Sequence, residues 1–303
     1  MADLRVRIGK MELKNPVIAA SGTYGFGKEY GEYIDLGRLG GISVKAVTLE
    51  QRRGNPPPRI AETPSGILNS VGLQNPGIRA FKKEWLPYLD TLDTAIIVNI
   101  AGNTVNDYVD LAKELNDTQI DAIEVNVSCP NVKEGCALFG ATPTGVYSVA
   151  SAVRSATAKP IIVKLTPNRA DIAETAKAAE EGGADAVSLI NTILGLAIDI
   201  ETRRPILGSN FGGLSGPAVK PVALRMVYEA AKSVRIPVIG MGGIMNGSDA
   251  IEFMLAGATA IMVGTANFLE PEACIHIADG IGKYLDKHYI EDVTGIIGKL
   301  VLN

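Results

Sequence analysis

Eight short runs rich in valine and isoleucine recur along the chain, most of them followed by a stretch of helical periodicity. The runs are NPVIAASG (15–22), GISVKAVT (41–48), TAIIVNIAG (94–102), AIEVNVSC (122–129), PIIVKLTP (160–167), DAVSLINT (185–192), IPVIGMGG (236–243) and TAIMVGTA (259–266). Their composition is that of strands buried on both faces. Between them lie amphipathic segments such as NDYVDLAKELND (106–117), VYSVASAVRSATA (146–158), ADIAETAKAAEEGG (170–183), AVKPVALRMVYEAAKSV (218–234) and SDAIEFMLAGA (248–258). Strand and helix alternating in this way fit a closed parallel (β/α)8 TIM-type barrel better than an open doubly wound sheet. The N-terminal MADLRVRIGKMELKN alternates charged and apolar residues and reads as a short β-hairpin, not a signal peptide. No Gly/Ser or Pro linker divides the sequence, so a single barrel domain over 1–303 is expected.

Composition narrows the function. Hydrophobic residues make up 47% and charged residues 20%, enough for a large core. The net charge is −4 with no long basic run, which argues against nucleic-acid binding. No apolar stretch is long enough and free enough of glycine and charge to cross a bilayer. Three cysteines in 303 residues are no disulfide framework, so a cytoplasmic enzyme with free thiols is expected. The two histidines, His276 and His288, fall in the last helical region and leave no His-rich metal site.

Two connections exceed plain crossovers: one from Leu49 to about Asp93, the other ILGLAIDIETRRPILGSNFGGLSGP (193–217). Both follow a strand, so both should rise from the C-terminal rim, where barrel active sites lie. The strand ends facing that rim are polar. The first run ends near Ser21, and the next five carry Lys45, Asn99, Asn126, Lys164, and Asn191 with Thr192. An unpaired Lys or Asn in an apolar strand costs several kcal/mol. Any one of these could simply bond neighbouring backbone; together they describe one polar cup. The last two strands end in Gly242 and Gly243, and in Gly264 and Thr265. Loops at these positions often hold phosphate through backbone N–H groups, and the helix beginning near Ser248 would favour an anion. The glycine spacing is not that of a dinucleotide fingerprint. Two lysines in the cup suit an electron-rich ligand such as a flavin, whose reduced anionic form a cation stabilises. A Schiff-base lysine is the competing use.

Cys129, in VNVSCPN (125–131), closes the fourth run beside Asn126. A thiol with an ordinary pKa of roughly 8.5 is within reach of general-base work, although a strand-end cysteine is often simply packed. The turn SCPNVKEGCALFGATPTG has the composition of a lid. Cys136 lies within it and Cys274 reads as helix core.

VNVSCPN, NSVGLQNPG (69–77), KLTPN (164–168), LINT (189–192), GMGGI (240–244) and VGTA (263–266), in this order over essentially the whole chain, resemble class 1 dihydroorotate dehydrogenase. SGTYGFG, RRGNPPPR (52–59) and SCPNVKEG look most like the NAD-linked type B catalytic subunit; the fumarate-using type A enzymes are the neighbouring alternative. The resemblance implies FMN at the rim and oxidation of (S)-dihydroorotate to orotate in pyrimidine synthesis. By it, Cys129 removes the C5 proton and the C6 hydride passes to FMN. Substrate contacts fall on Lys45, Asn69, Ser70, Val71, Gly72, Leu73, Asn126, Asn131, Asn191 and Thr192. Cofactor contacts fall on Ser21, Lys45, Ala46, Asn99, Asn126, Lys164, Ile190, Gly216, Gly242, Gly243, Gly264 and Thr265. It also implies a catalytic homodimer carrying two iron–sulfur flavoprotein partners, a heterotetramer in which FAD and a [2Fe–2S] cluster relay electrons to NAD. The sequence departs from the family where Cys136 replaces the second of two lid glycines. A dihydropyrimidine dehydrogenase-like enzyme, a phosphate-binding barrel lyase or isomerase, and a non-catalytic binding module are the other readings.

Overall fold

The computed structural model describes residues 2–128, 139–169 and 171–303. The N-terminal hairpin forms as expected: β1 (Val6–Ile8) pairs antiparallel with β2 (Met11–Leu13), Val6 opposite Leu13. Gly9 at its turn lies against Asp185, just ahead of a barrel strand, so the hairpin covers the N-terminal end of the barrel.

The eight runs supply the eight barrel strands. These are β3 (Val17–Ala19), β4 (Gly41–Val47), β7 (Ala95–Ile100), β8 (Ala122–Asn126), β9 (Ile161–Lys164), β10 (Ala186–Leu189), β15 (Val238–Met241) and β16 (Ala260–Val263). Each pairs in parallel with the next, and β16 returns to β3, closing the sheet. Almost every strand residue is buried, because the barrel interior fills one face and the helices cover the other.

Among the described residues six longer helices surround it: α1 (Val105–Leu115), α2 (Pro143–Ala156), α3 (Ile172–Glu181), α4 (Lys220–Ser233), α5 (Gly247–Ala256) and α6 (Ala273–Lys287). Their starts follow local chemistry. Thr104 and Asp107 form a capping box at α1, while Thr142, Asp171 and Asn246 accept N–H bonds at α2, α3 and α5. The alternation fails after the first strand, where two 3-10 turns, Tyr30–Glu32 and Leu36–Arg38, replace a helix. Phe26 in that connection stacks on Trp85 of the helical segment 78–89, with ring centroids 4.7 Å apart.

The two long connections are not independent loops. The first contains β5 (Ile60–Thr63) and β6 (Gly66–Asn69). The second contains β11 (Ile193–Gly195), β12 (Ile198–Asp199), β13 (Arg204–Pro205) and β14 (Gly212–Ser215). β6 pairs with β14, giving a four-stranded sheet β11-β14-β6-β5 over the rim, while β12 and β13 form a separate ribbon. A second small core of Ala61, Leu68 and Leu207 fixes the two excursions to each other.

Candidate active site

A cavity opens between the C-terminal strand ends and this four-stranded sheet. Ser21, Lys45, Ala46, Asn126, Lys164 and Ile190 reach it from the ends of five of the first six strands, β7 excepted, with Asn191 and Thr192 just beyond β10. Gly242, Gly243, Gly264 and Thr265 bound it below the last two strands, and Gly216 joins them from the end of the second excursion. The first excursion supplies Asn69, Val71, Gly72 and Leu73. Apolar walls come from Ile60, Ile67, Ile244, Met241, Met262 and Phe268, which the residue-type argument missed because nothing in their spacing marks a rim.

Two expected residues stand behind the wall. Ser70 is buried, its hydroxyl bonded to Asn55 Nδ2 (2.9 Å) and to Ser209, so it ties the two excursions together. Asn99 is fully buried beneath Ser21 and donates to Glu124. Cys129, Asn131 and Cys136 lie outside the described residues.

The polar strand ends are joined by hydrogen bonds. Asn191 Nδ2 donates to Ser128 Oγ (2.8 Å), Ser128 Oγ donates to Asn126 Oδ1 (2.9 Å), and Asn126 Nδ2 approaches Asn99 Oδ1 at 3.5 Å. Tyr108 Oη donates to the carbonyl of Asn126 (2.9 Å), holding the end of β8 from α1. Lys164 Nζ lies 3.4 Å from Ser21 Oγ and 3.9 Å from Glu124 Oε2. Glu124, overlooked in the apolar run AIEVNVSC, is the one charge in that strand, which is the signal that could have found it.

The segment 69–77 is shaped by Asn75. Its Oδ1 accepts the N–H groups of Thr48 (3.1 Å) and Gly77 (2.9 Å), and its Nδ2 donates to Leu73 O (2.8 Å). Leu73 thereby sits at the cavity with φ 57°, a left-handed conformation that non-glycine residues seldom adopt. Asn168 performs a similar task at the second excursion, donating to Thr192 O (2.9 Å) and accepting from Leu194 N–H (2.8 Å).

The loops after β15 and β16 suit an anionic, flat ligand such as FMN. The N–H groups of Gly243, Gly264 and Thr265 donate to no oxygen among the described residues. A Cβ built on Gly264 meets nothing nearer than 3.8 Å, and one on Gly22 meets nothing within 4 Å. Both glycines line the cavity, and a side chain at either would take up space beside it. The start of α5, expected to favour an anion, already holds one: Asp249 accepts from Met245 N–H (2.9 Å) and from Lys220 Nζ (2.7 Å). The loop donors, rather than that helix terminus, are what remains for a phosphate. Lys45 and Lys164 add positive charge to the cavity lining. Among the described residues no cluster of His, Cys, Asp and Glu could hold a metal, and no helix is long and apolar enough to cross a membrane.

Comparison with known proteins agrees with this geometry. The family model described as dihydroorotate dehydrogenase matches residues 3–285. The chain is 57% identical over 298 residues to a protein of Thermoanaerobacter pseudethanolicus named dihydroorotate dehydrogenase B (NAD(+)), catalytic subunit, covering 98% of this chain and 99% of that one. A relative of the same name from Bacteroides fragilis is 58% identical over 301 residues, covering 99% of each. Among solved structures, dihydroorotate dehydrogenase from Eimeria tenella in complex with ferulenol superposes with a TM-score of 0.81 at 24% identity. The match covers 98% of this chain and 88% of that one, a likeness of fold.

Proposed function

The chain belongs to the dihydroorotate dehydrogenase family, and we propose that it is the catalytic subunit of a type B, NAD-linked enzyme, a single FMN-holding barrel that oxidises (S)-dihydroorotate to orotate in pyrimidine synthesis. The observation that carries this reading is the cavity itself, where two lysines, three asparagines and the unclaimed N–H groups of two glycine loops converge under one sheet.

FMN, when bound, supplies the two-electron acceptor for the hydride leaving C6 of the substrate. The N–H groups of Gly243, Gly264 and Thr265 would hold its phosphate, while Ser21, Ala46, Lys164, Ile190, Gly216 and Gly242 line the remainder of its place. Asn99 supports that place from beneath. Dihydroorotate presents a carboxylate and alternating N–H and C=O edges. Lys45 would pair with the carboxylate, and Asn69, Asn126, Asn131 and Asn191 can each offer both a donor and an acceptor to the edges. The segment Ser70–Leu73 and Thr192 complete the enclosure. Cys129 takes the C5 proton. The residue before it in sequence, Ser128, is held by Asn126 and Asn191, so the end of β8 is anchored from two sides. Exclusion of water strengthens each of these contacts.

The relatives' name, catalytic subunit, supports a separate electron-transfer partner. In this reading the partner is an iron–sulfur flavoprotein with FAD and a [2Fe–2S] cluster, two copies serving a cytoplasmic homodimer of this chain.

A visible spectrum of the purified chain with and without dihydroorotate tests the proposal. A flavin band that bleaches on adding dihydroorotate is expected, with NAD reduced only after the partner subunit is added. Absence of flavin absorbance after reconstitution with FMN sinks the reading. Turnover with fumarate by the chain alone would reassign it to type A, and bleaching by dihydrouracil instead of dihydroorotate to a dihydropyrimidine dehydrogenase-like activity.

A further inference from the structure

Glu124 is a carboxylate with 0% of its surface exposed, inside the barrel and one layer below the cavity. Its Oε1 accepts from Ser188 Oγ (2.8 Å) on β10, and its Oε2 accepts from Ser43 Oγ (2.9 Å) on β4. Oε2 also takes the Nδ2 of Asn99 on β7 and lies 3.9 Å from Lys164 Nζ on β9. One side chain on β8 therefore gathers four other strands. Removing such a charge from water is costly, and replacing buried charges by hydrophobic residues of similar volume is often neutral or stabilising. A carboxylate that serves only packing is thus a poor solution. The charge has a neighbour that explains it: the Lys164 side chain, 7% exposed, has its ammonium between Glu124 below and the cavity above.

We propose that Glu124 is a positioning residue that holds Lys164 and Asn99 from beneath and offsets the positive charge Lys164 presents to the bound flavin. The inference rests on the FMN reading above. With the carboxylate in place, Lys164 contributes orientation and a tempered field. Without it, the full cation faces the ligand and favours the electron-rich reduced form.

The test is the two-electron midpoint potential of the FMN-loaded chain, with the melting temperature measured alongside. Glu124→Gln keeps the shape and removes the charge, and the potential should move to more positive values. Ser188→Ala keeps the charge and removes a donor that disperses it, so the potential should move the opposite way. A merely structural role lowers the melting temperature in both variants and leaves the potential at the wild-type value, which overturns the proposal. If Glu124→Gln does not fold, the Ser188→Ala potential decides alone. Failure of the FMN reading shows separately, as a wild-type chain that takes up no flavin, and removes both.

Discussion

Asn191 Nδ2 donates to Ser128 Oγ at 2.8 Å, so the residue that closes the sixth barrel strand is tied to the residue immediately before Cys129. The bond crosses β9 and joins two strand ends that the chain separates by 63 residues. It fixes the end of β8 against the end of β10.

Replacing Cys129 by Ala should leave FMN bound and lower the rate of flavin bleaching by dihydroorotate by about 10²-fold or more, the usual scale for loss of a general base. Stopped-flow absorbance checks this, and near-normal bleaching would remove Cys129 from its role.

The two glycine loops separate ligand effects from folding effects. At Gly264 an added methyl group makes only ordinary contacts with Thr23 and Ala20 beside the cavity, so Gly264→Ala should weaken FMN binding roughly tenfold while the apoprotein melts as before. At Gly243, with φ 79°, a methyl group meets Lys220 Cβ at 2.8 Å, so Gly243→Ala should lower the melting temperature as well. Equal losses of stability in the two variants would contradict the assignment of Gly264 to the ligand.

Asn75 answers for three backbone groups at once. Asn75→Ala leaves the N–H groups of Thr48 and Gly77 and the carbonyl of Leu73 without this partner. A loss of about 1–3 kcal/mol is expected by chemical denaturation, together with a raised KM for dihydroorotate as Leu73 leaves its left-handed conformation. An unchanged KM would detach the loop from substrate binding.

Cys274 sets a pH dependence with a defined sign. Burial pushes its thiol from an ordinary value of 9.0 up to about 12. The folded pKa lies above the unfolded one, so this contribution to stability is complete below about pH 9 and is lost as pH rises toward about 12. Thermal melts over this range should fall less steeply in Cys274→Ala than in the wild type. The thiol should also resist alkylation until the chain unfolds. Parallel pH profiles for the two proteins would contradict the burial argument.

Much of this molecule is legible before it folds. Eight Val/Ile-rich runs carry the barrel because strands buried on both faces have no other composition available. Lys45, Asn126, Lys164 and Asn191 are conspicuous at their ends because polar side chains there need partners or a ligand. The helix starts at Thr104 and Asn246 are local capping chemistry, readable over four residues.

What the order of residues could not say is which distant groups meet. The pairing of β6 with β14 sets Asn69 opposite Gly213 across 144 positions and turns two long connections into one roof. No periodicity encodes that register, because it follows from where the barrel places the two loop origins. Glu124 is the sharper case. Along the chain it is one acid in an apolar run, and only closure of the barrel brings Ser43, Asn99, Lys164 and Ser188 around it. Composition and spacing determined the strands and the residue types at their ends, which depend on local burial. The tertiary structure alone decided the shared roof and the buried carboxylate beneath the site, since both exist only through contacts between strands far apart in sequence.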